Sequence, residues 1–283
     1  MTQGARRSGY VFLCALPFID LVVAGARPLR ITPVYQVIGV LLLAAISIAI
    51  WVVGARAIGR NEPRPRKVAL AGLLLLLPWT LFSLLWVGIG APFQATLSEN
   101  YMRFLVLVWN SILVTGAFVV LKDALYDLGE RFYSTIGFAT NLSAGTAYLI
   151  CLNLSLAQVL QALRGDKTPL PDVLSHFYSA IEFVACVMTY VTTAVFATAL
   201  GRVGLLGRGA ARAYAAASAI LVLILLTRGI EYPEISGNTA PWYTQPGVIA
   251  GIPAIPWIMT CLLGAVLLRR AGDRHAGDVT VLK

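Results

Sequence analysis

Long apolar stretches divide nearly the whole chain, and they decide what it can fold into. Seven of them, Val34–Val53, Ala69–Gly90, Phe104–Leu121, Ser134–Leu160, Phe177–Leu200, Ala210–Ile230 and Gly247–Leu268, carry few or no charges. Each reaches the roughly 18 residues that a helix needs to cross a bilayer. An eighth, shorter run is Tyr10–Ala24. The hydrocarbon interior offers no water to backbone N–H and C=O groups, so helices that satisfy them internally are the expected form. The reading is an all-α, polytopic transmembrane helical bundle of eight helices. It becomes seven if the first segment is cleaved or re-entrant.

The chain has 283 residues, of which 58% are hydrophobic and only 12% charged. A soluble domain of that size carries more charge. No connecting loop is long enough for a separate folded unit, so residues 1–283 read as a single membrane domain with a short cytoplasmic tail at 269–283. The net charge of +9 could point to nucleic acid. A one-sided gathering of basic residues accounts for it better, and no nucleic-acid partner is expected. With eight helices and the N-terminus inside, Arg27, Arg30, Arg103, Arg164, Lys167 and Arg228 fall outside, and the other 16 of the 22 Lys and Arg fall inside. Lys and Arg resist translocation, so this bias predicts a plasma (inner) membrane protein with both termini cytoplasmic.

The first segment also has the outline of a signal peptide: Arg6 and Arg7 precede an apolar run that ends in small residues. Asp20 interrupts that run, which favours a retained, short helix kinked at Pro17. Cys14, Cys151, Cys186 and Cys261 all lie in apolar runs without paired spacing and read as small packing residues. The only histidines, His176 and His275, are far apart. The supply of ligands therefore predicts no metal site, and no cofactor is expected. Gly209, Ala213 and Ala217, four apart, and Gly247 with Gly251 are expected to be internal packing faces.

Function is to be sought in the polar groups inside the apolar runs, because such groups are costly there and usually face a cavity or a partner. Asp20 and Glu182 are the carboxylates. Arg103 and Arg228 stand at helix ends on the expected outer side. Asn110, Tyr148, Asn153 and Gln158 add polar atoms in the same half. Ser175, Ser179, Glu182, Cys186, Thr189 and Thr193 recur at steps of three and four, so they share one helix face. Thr140, Ala144, Tyr148, Cys151, Ser155 and Gln158 form a weaker stripe on the preceding helix. These residues predict a ligand-binding or coupling site made of Asp20, Glu182, Arg228, Arg103, Asn110, Asn153, Gln158 and Tyr148. One reading is structural: the carboxylates pair with Arg228 or Arg103, and the stripes are interhelical hydrogen bonds of about 0.6 kcal/mol each. The other is a polar pocket in the extracytoplasmic half, capped by the aromatic, proline-rich loop Glu231–Gln245.

The expected function is transport of a small solute or ion, with the lipid bilayer as the other partner. Protonatable carboxylates inside a bundle are the usual means of coupling. A ligand-sensing or accessory membrane protein without catalysis is the alternative, and a lipid-modifying enzyme ranks below both. His176 and Glu182 are six residues apart, about 600° around a helix, so they do not share a face.

Overall fold

The computed structural model describes residues 3–26, 32–89, 95–166, 168, 171–230, 246–252 and 254–273. Nine α-helices are found among them: α1 (Gln3–Ala26), α2 (Pro33–Val53), α3 (Pro63–Ile89), α4 (Leu97–Asp127), α5 (Phe132–Leu163), α6 (Asp172–Arg202), α7 (Arg208–Arg228), α8 (Pro246–Gly251) and α9 (Ile255–Gly272). A 3-10 turn, Ala55–Gly59, joins α2 to α3. No strand is present among the described residues. Seven helices, α2 to α7 and α9, are long and apolar enough to cross a membrane. The chain is an integral membrane protein built as an all-α bundle.

Local chemistry sets the helix ends. Thr32 caps α2 by accepting from the Tyr35 N–H, and Pro33 follows at the first helical position, where its missing N–H is harmless. Thr96 and Glu99 form a reciprocal capping box at the start of α4. Gly229, at φ +85°, takes the left-handed conformation that stops α7. Thr96→Ala removes one orphan-donor partner of α4. It should lower stability by about 1 kcal/mol, measurable as a shift in the unfolding midpoint of the purified protein.

Helices adjacent in sequence pack side by side from α3 to α7, and α9 returns to touch α1, α2, α3 and α6. α3 and α9 are the most enclosed; α2 and α7 lie at the periphery. The α3–α9 crossing is close because Gly72 and Gly264 face each other. A Cβ on Gly72 would stand 2.9 Å from the Gly264 carbonyl oxygen, and one on Gly264 would stand 2.7 Å from the Gly72 oxygen.

One end of the bundle is pinned by ion pairs. Arg6 of α1 donates to the Val53 carbonyl at the end of α2 (2.9 Å) and to Asp273 after α9 (2.7 Å), and it also reaches the Arg269 carbonyl. Lys67 bridges α3 to Asp123 (2.6 Å) and Asp127 (2.7 Å) of α4. Arg270 donates to the Leu205 carbonyl between α6 and α7 (3.1 Å). The first turn of α1 and the last turn of α9 thus share one end.

Several sequence expectations change. The first helix is not short: α1 has 24 residues, about 36 Å at 1.5 Å per residue. The run Gly247–Leu268 is not one helix but two, α8 and α9. Pro256 has no N–H to donate, and its ring would clash with the Ile252 carbonyl in a continuous helix. Arg269 and Arg270, expected in the tail, form the last turn of α9. Gly209, Ala213 and Ala217 are exposed. α7 instead buries Ala211, Ser218 and Leu225, seven apart, and turns the small residues outward. Gly247 and Gly251 do form a packing face, against the Arg228 side chain. The loop expected to cap an outer pocket, residues 231–245, lies outside the described residues.

Candidate functional site

Five helices converge near the end opposite the ion-paired one. Glu182 of α6 is buried, at 5% exposure, and so are Cys186, Thr189 and Thr193 on the same face. Ser179 is half-buried and Ser175 exposed. The charged group that acts on Glu182 is Arg228, the last residue of α7. Arg228 donates to its own Gly229 carbonyl (3.3 Å) and to the Gly247 carbonyl of α8 (3.4 Å). Its guanidinium lies against Gly251, where any Cβ would collide with Nη1. Glycine at position 251 is what lets the arginine lie against the short helix.

Around the pair the polar contacts are short and interlocking. Cys186 donates to the Gly251 carbonyl (3.4 Å), and Tyr190 donates to the Ala250 carbonyl (3.0 Å). Both carbonyls belong to the end of α8, where the helix breaks and its last acceptors lack intrahelical partners. Tyr148 of α5 contacts Cys186 Sγ (3.5 Å) and packs its ring on Trp257 of α9 at 5.5 Å. Ser155 of α5 donates to the Tyr178 hydroxyl of α6 (3.2 Å).

The other residues expected in the site are elsewhere. Asp20 is buried, at 4% exposure, but no arginine faces it among the described residues. Ser83 and Trp79 of α3 are the polar groups beside it. Its Oδ2 and the Trp79 Nε1 both lack a hydrogen-bond partner. Arg103, also buried, turns back on its own helix, bonding Asn100 at 3.0 Å and lying in the field of Glu99. Asn110 donates across to the Pro78 carbonyl of α3 at 2.8 Å, and its Oδ1 is unpartnered. Asn153 and Gln158 are exposed. Asn153 donates to the Leu149 carbonyl one turn back (2.7 Å), which settles its amide without any cavity. The α5 stripe therefore holds at Ala144, Tyr148, Cys151 and Ser155 and fails at Gln158. Of the eight residues expected together, the structure joins Glu182, Arg228 and Tyr148.

A second polar seam was not anticipated as a unit. Asn141 donates to the Thr115 carbonyl (3.2 Å), Thr192 to Thr140 (2.9 Å) and Ser111 to the Gly145 carbonyl (3.4 Å), tying α4, α5 and α6 together. It encloses a cavity of about 10 Å³, room for roughly one water. The four-residue spacing of Ser111 with Thr115 and of Asn141 with Gly145 was the available signal. Two larger openings, of about 410 and 630 Å³, lie at the ion-paired end rather than beside Glu182. His176 is exposed while Glu182 is buried, so the two do not share a site.

Compared with known proteins, the chain matches no family model, and no curated sequence or solved structure proved similar to it.

Proposed function

We propose that the chain is a carrier of a small solute or ion, driven by protonation of Glu182. The observation that carries this reading is a buried carboxylate, Glu182, in the field of Arg228, which itself lies against the break between α8 and α9. Ionisable groups at membrane depth ordinarily serve a pathway or a relay. Irregular backbone at that depth is tolerated where it is buried in protein or lines a cavity, and interrupted helices form the binding sites of many carriers. With Glu182 ionised, its field helps to hold Arg228 against the α8 backbone. A proton on Glu182 removes that attraction and frees both the guanidinium and the short helix to move. The 16-to-6 distribution of basic residues supports an inner-membrane setting with both chain ends in the cytoplasm.

In proteoliposomes, a rapid pH step should evoke a transient proton current with the wild-type protein. Glu182→Gln should abolish that current while leaving elution profile and helical content unchanged. A wild-type current in Glu182→Gln would overturn the assignment.

A further inference from the structure

The larger opening at the ion-paired end lies where α6 passes to α7. Its lining is mixed: the buried or half-buried Gly201, Ala211 and Ala215 form a floor of small residues beside Glu130 and Thr198, and the exposed Arg202, Arg208 and Arg212 form the rim. α6 and α7 approach closely there, since a Cβ on Gly201 would meet the Ala211 methyl at 2.7 Å. Arg202 is already engaged: it bonds Glu130 at 2.7 Å and lies over the Tyr133 ring at 5.2 Å. Glu130 in turn accepts from the Tyr133 N–H at 3.1 Å, so its charge is committed to Arg202 and the start of α5. Arg208 and Arg212 are exposed, and neither has an ion pair among the described residues. Four residues apart on a helix, they stand on the same face.

We propose that this cleft binds the phosphate group of an anionic membrane lipid, with Arg208 and Arg212 on the phosphate and the first acyl carbons over Ala211 and Ala215. The planar guanidinium fork matches phosphate oxygens, and two forks one turn apart can share one phosphate. The apolar floor selects a lipid over a free anion. Ala215 lies about 10 Å along the helix from Arg208, so the floor leads from the charged rim towards the hydrocarbon. A soluble phosphate would engage the rim and leave that floor uncovered. This inference is independent of the transport reading, because the cleft is at the opposite end from Glu182.

The test uses full-length protein in a neutral detergent, titrated with phosphatidylglycerol, phosphatidylcholine or inorganic phosphate, with the unfolding temperature as readout. Phosphatidylglycerol should raise it saturably, and the other two should not. The double variant R208Q/R212Q should keep the lipid-free unfolding temperature and bind phosphatidylglycerol about 30-fold more weakly, and R212Q alone should show part of that loss. R64Q/R66Q removes the same charge from exposed positions at the same end and should bind as wild type does. An equal shift with inorganic phosphate would overturn the lipid assignment. So would undiminished binding by R208Q/R212Q and by R212Q, or an equal loss in R64Q/R66Q, which would mean diffuse attraction rather than a site.

Discussion

Gly72→Leu should leave little or no folded bundle. The Gly72 Cβ would sit 2.9 Å from both the Gly264 carbonyl oxygen and the Leu268 N, and 3.1 Å from the Leu267 Cβ. Two of these three neighbours are backbone atoms of α9, so no rotamer change can make room; α3 and α9 must separate. Overpacking a well-filled core ordinarily costs about 1–3 kcal/mol. Here the whole crossing must open, and a loss above ~3 kcal/mol is expected, in the range reserved for severe core defects. Gly264→Leu should behave alike, because its Cβ meets the Gly72 oxygen at 2.7 Å. Gly39→Ala is the control: nothing lies within 4 Å of a Cβ there, and alanine is the better helix former by about 1 kcal/mol. Unfolding midpoints of the three purified variants decide the matter. A near-native midpoint for Gly72→Leu would mean that α9 is not locked to α3 at this crossing.

The bundle was legible in the sequence because its cause is local. A run of apolar residues has one low-energy form in a bilayer, and the eight runs map onto α1 through α7 and α8 with α9. What pairs with what was less legible. Periodicity finds the polar face of α6 correctly at Glu182, Cys186, Thr189 and Thr193, since a polar stripe on a membrane helix must turn inward. It fails at Asn153 and Gln158, because an amide can satisfy itself on its own helix and then face outward. Small-residue spacing fails in α7 for a related reason. Gly209, Ala213 and Ala217 permit close contact without requiring it, and in this chain α7 buries the neighbouring face, with Ala211 against Gly201 of α6 and Ser218 against Met259 of α9. The break at α8 was foreshadowed by Pro256, yet the residue that receives Arg228 there, Gly251, becomes significant only once the arginine is seen lying on it. The expected common site dissolves because Asp20 faces α3, Arg103 folds back on α4 and only Arg228 turns towards Glu182.

Glu182 and Arg228 should show measurable energetic coupling through their charges. Arg228→Gln leaves a carboxylate that is 5% exposed with its opposing charge removed, among Cys151, Tyr178 and Cys186. Leaving that buried charge without a compensating field should cost about 2 kcal/mol, below the roughly 3–5 kcal/mol of breaking a buried contact pair. Glu182→Gln should cost less, because Arg228 is only half-buried and keeps the Gly229 and Gly247 carbonyls as acceptors. In the double variant no unpaired charge remains, and two amides can bond to each other or to the α8 backbone. The double variant should therefore lose less than the sum of the two single losses, with a coupling of about 1 kcal/mol from a double-mutant cycle in denaturant. Additive losses would show that the two charges do not depend on each other. The cycle also separates structure from transport. If the pair only holds α6, α7 and α8 together, the double variant regains both stability and any proton current. If Glu182 carries the proton, the double variant regains stability alone, because a glutamine at position 182 has nothing to titrate.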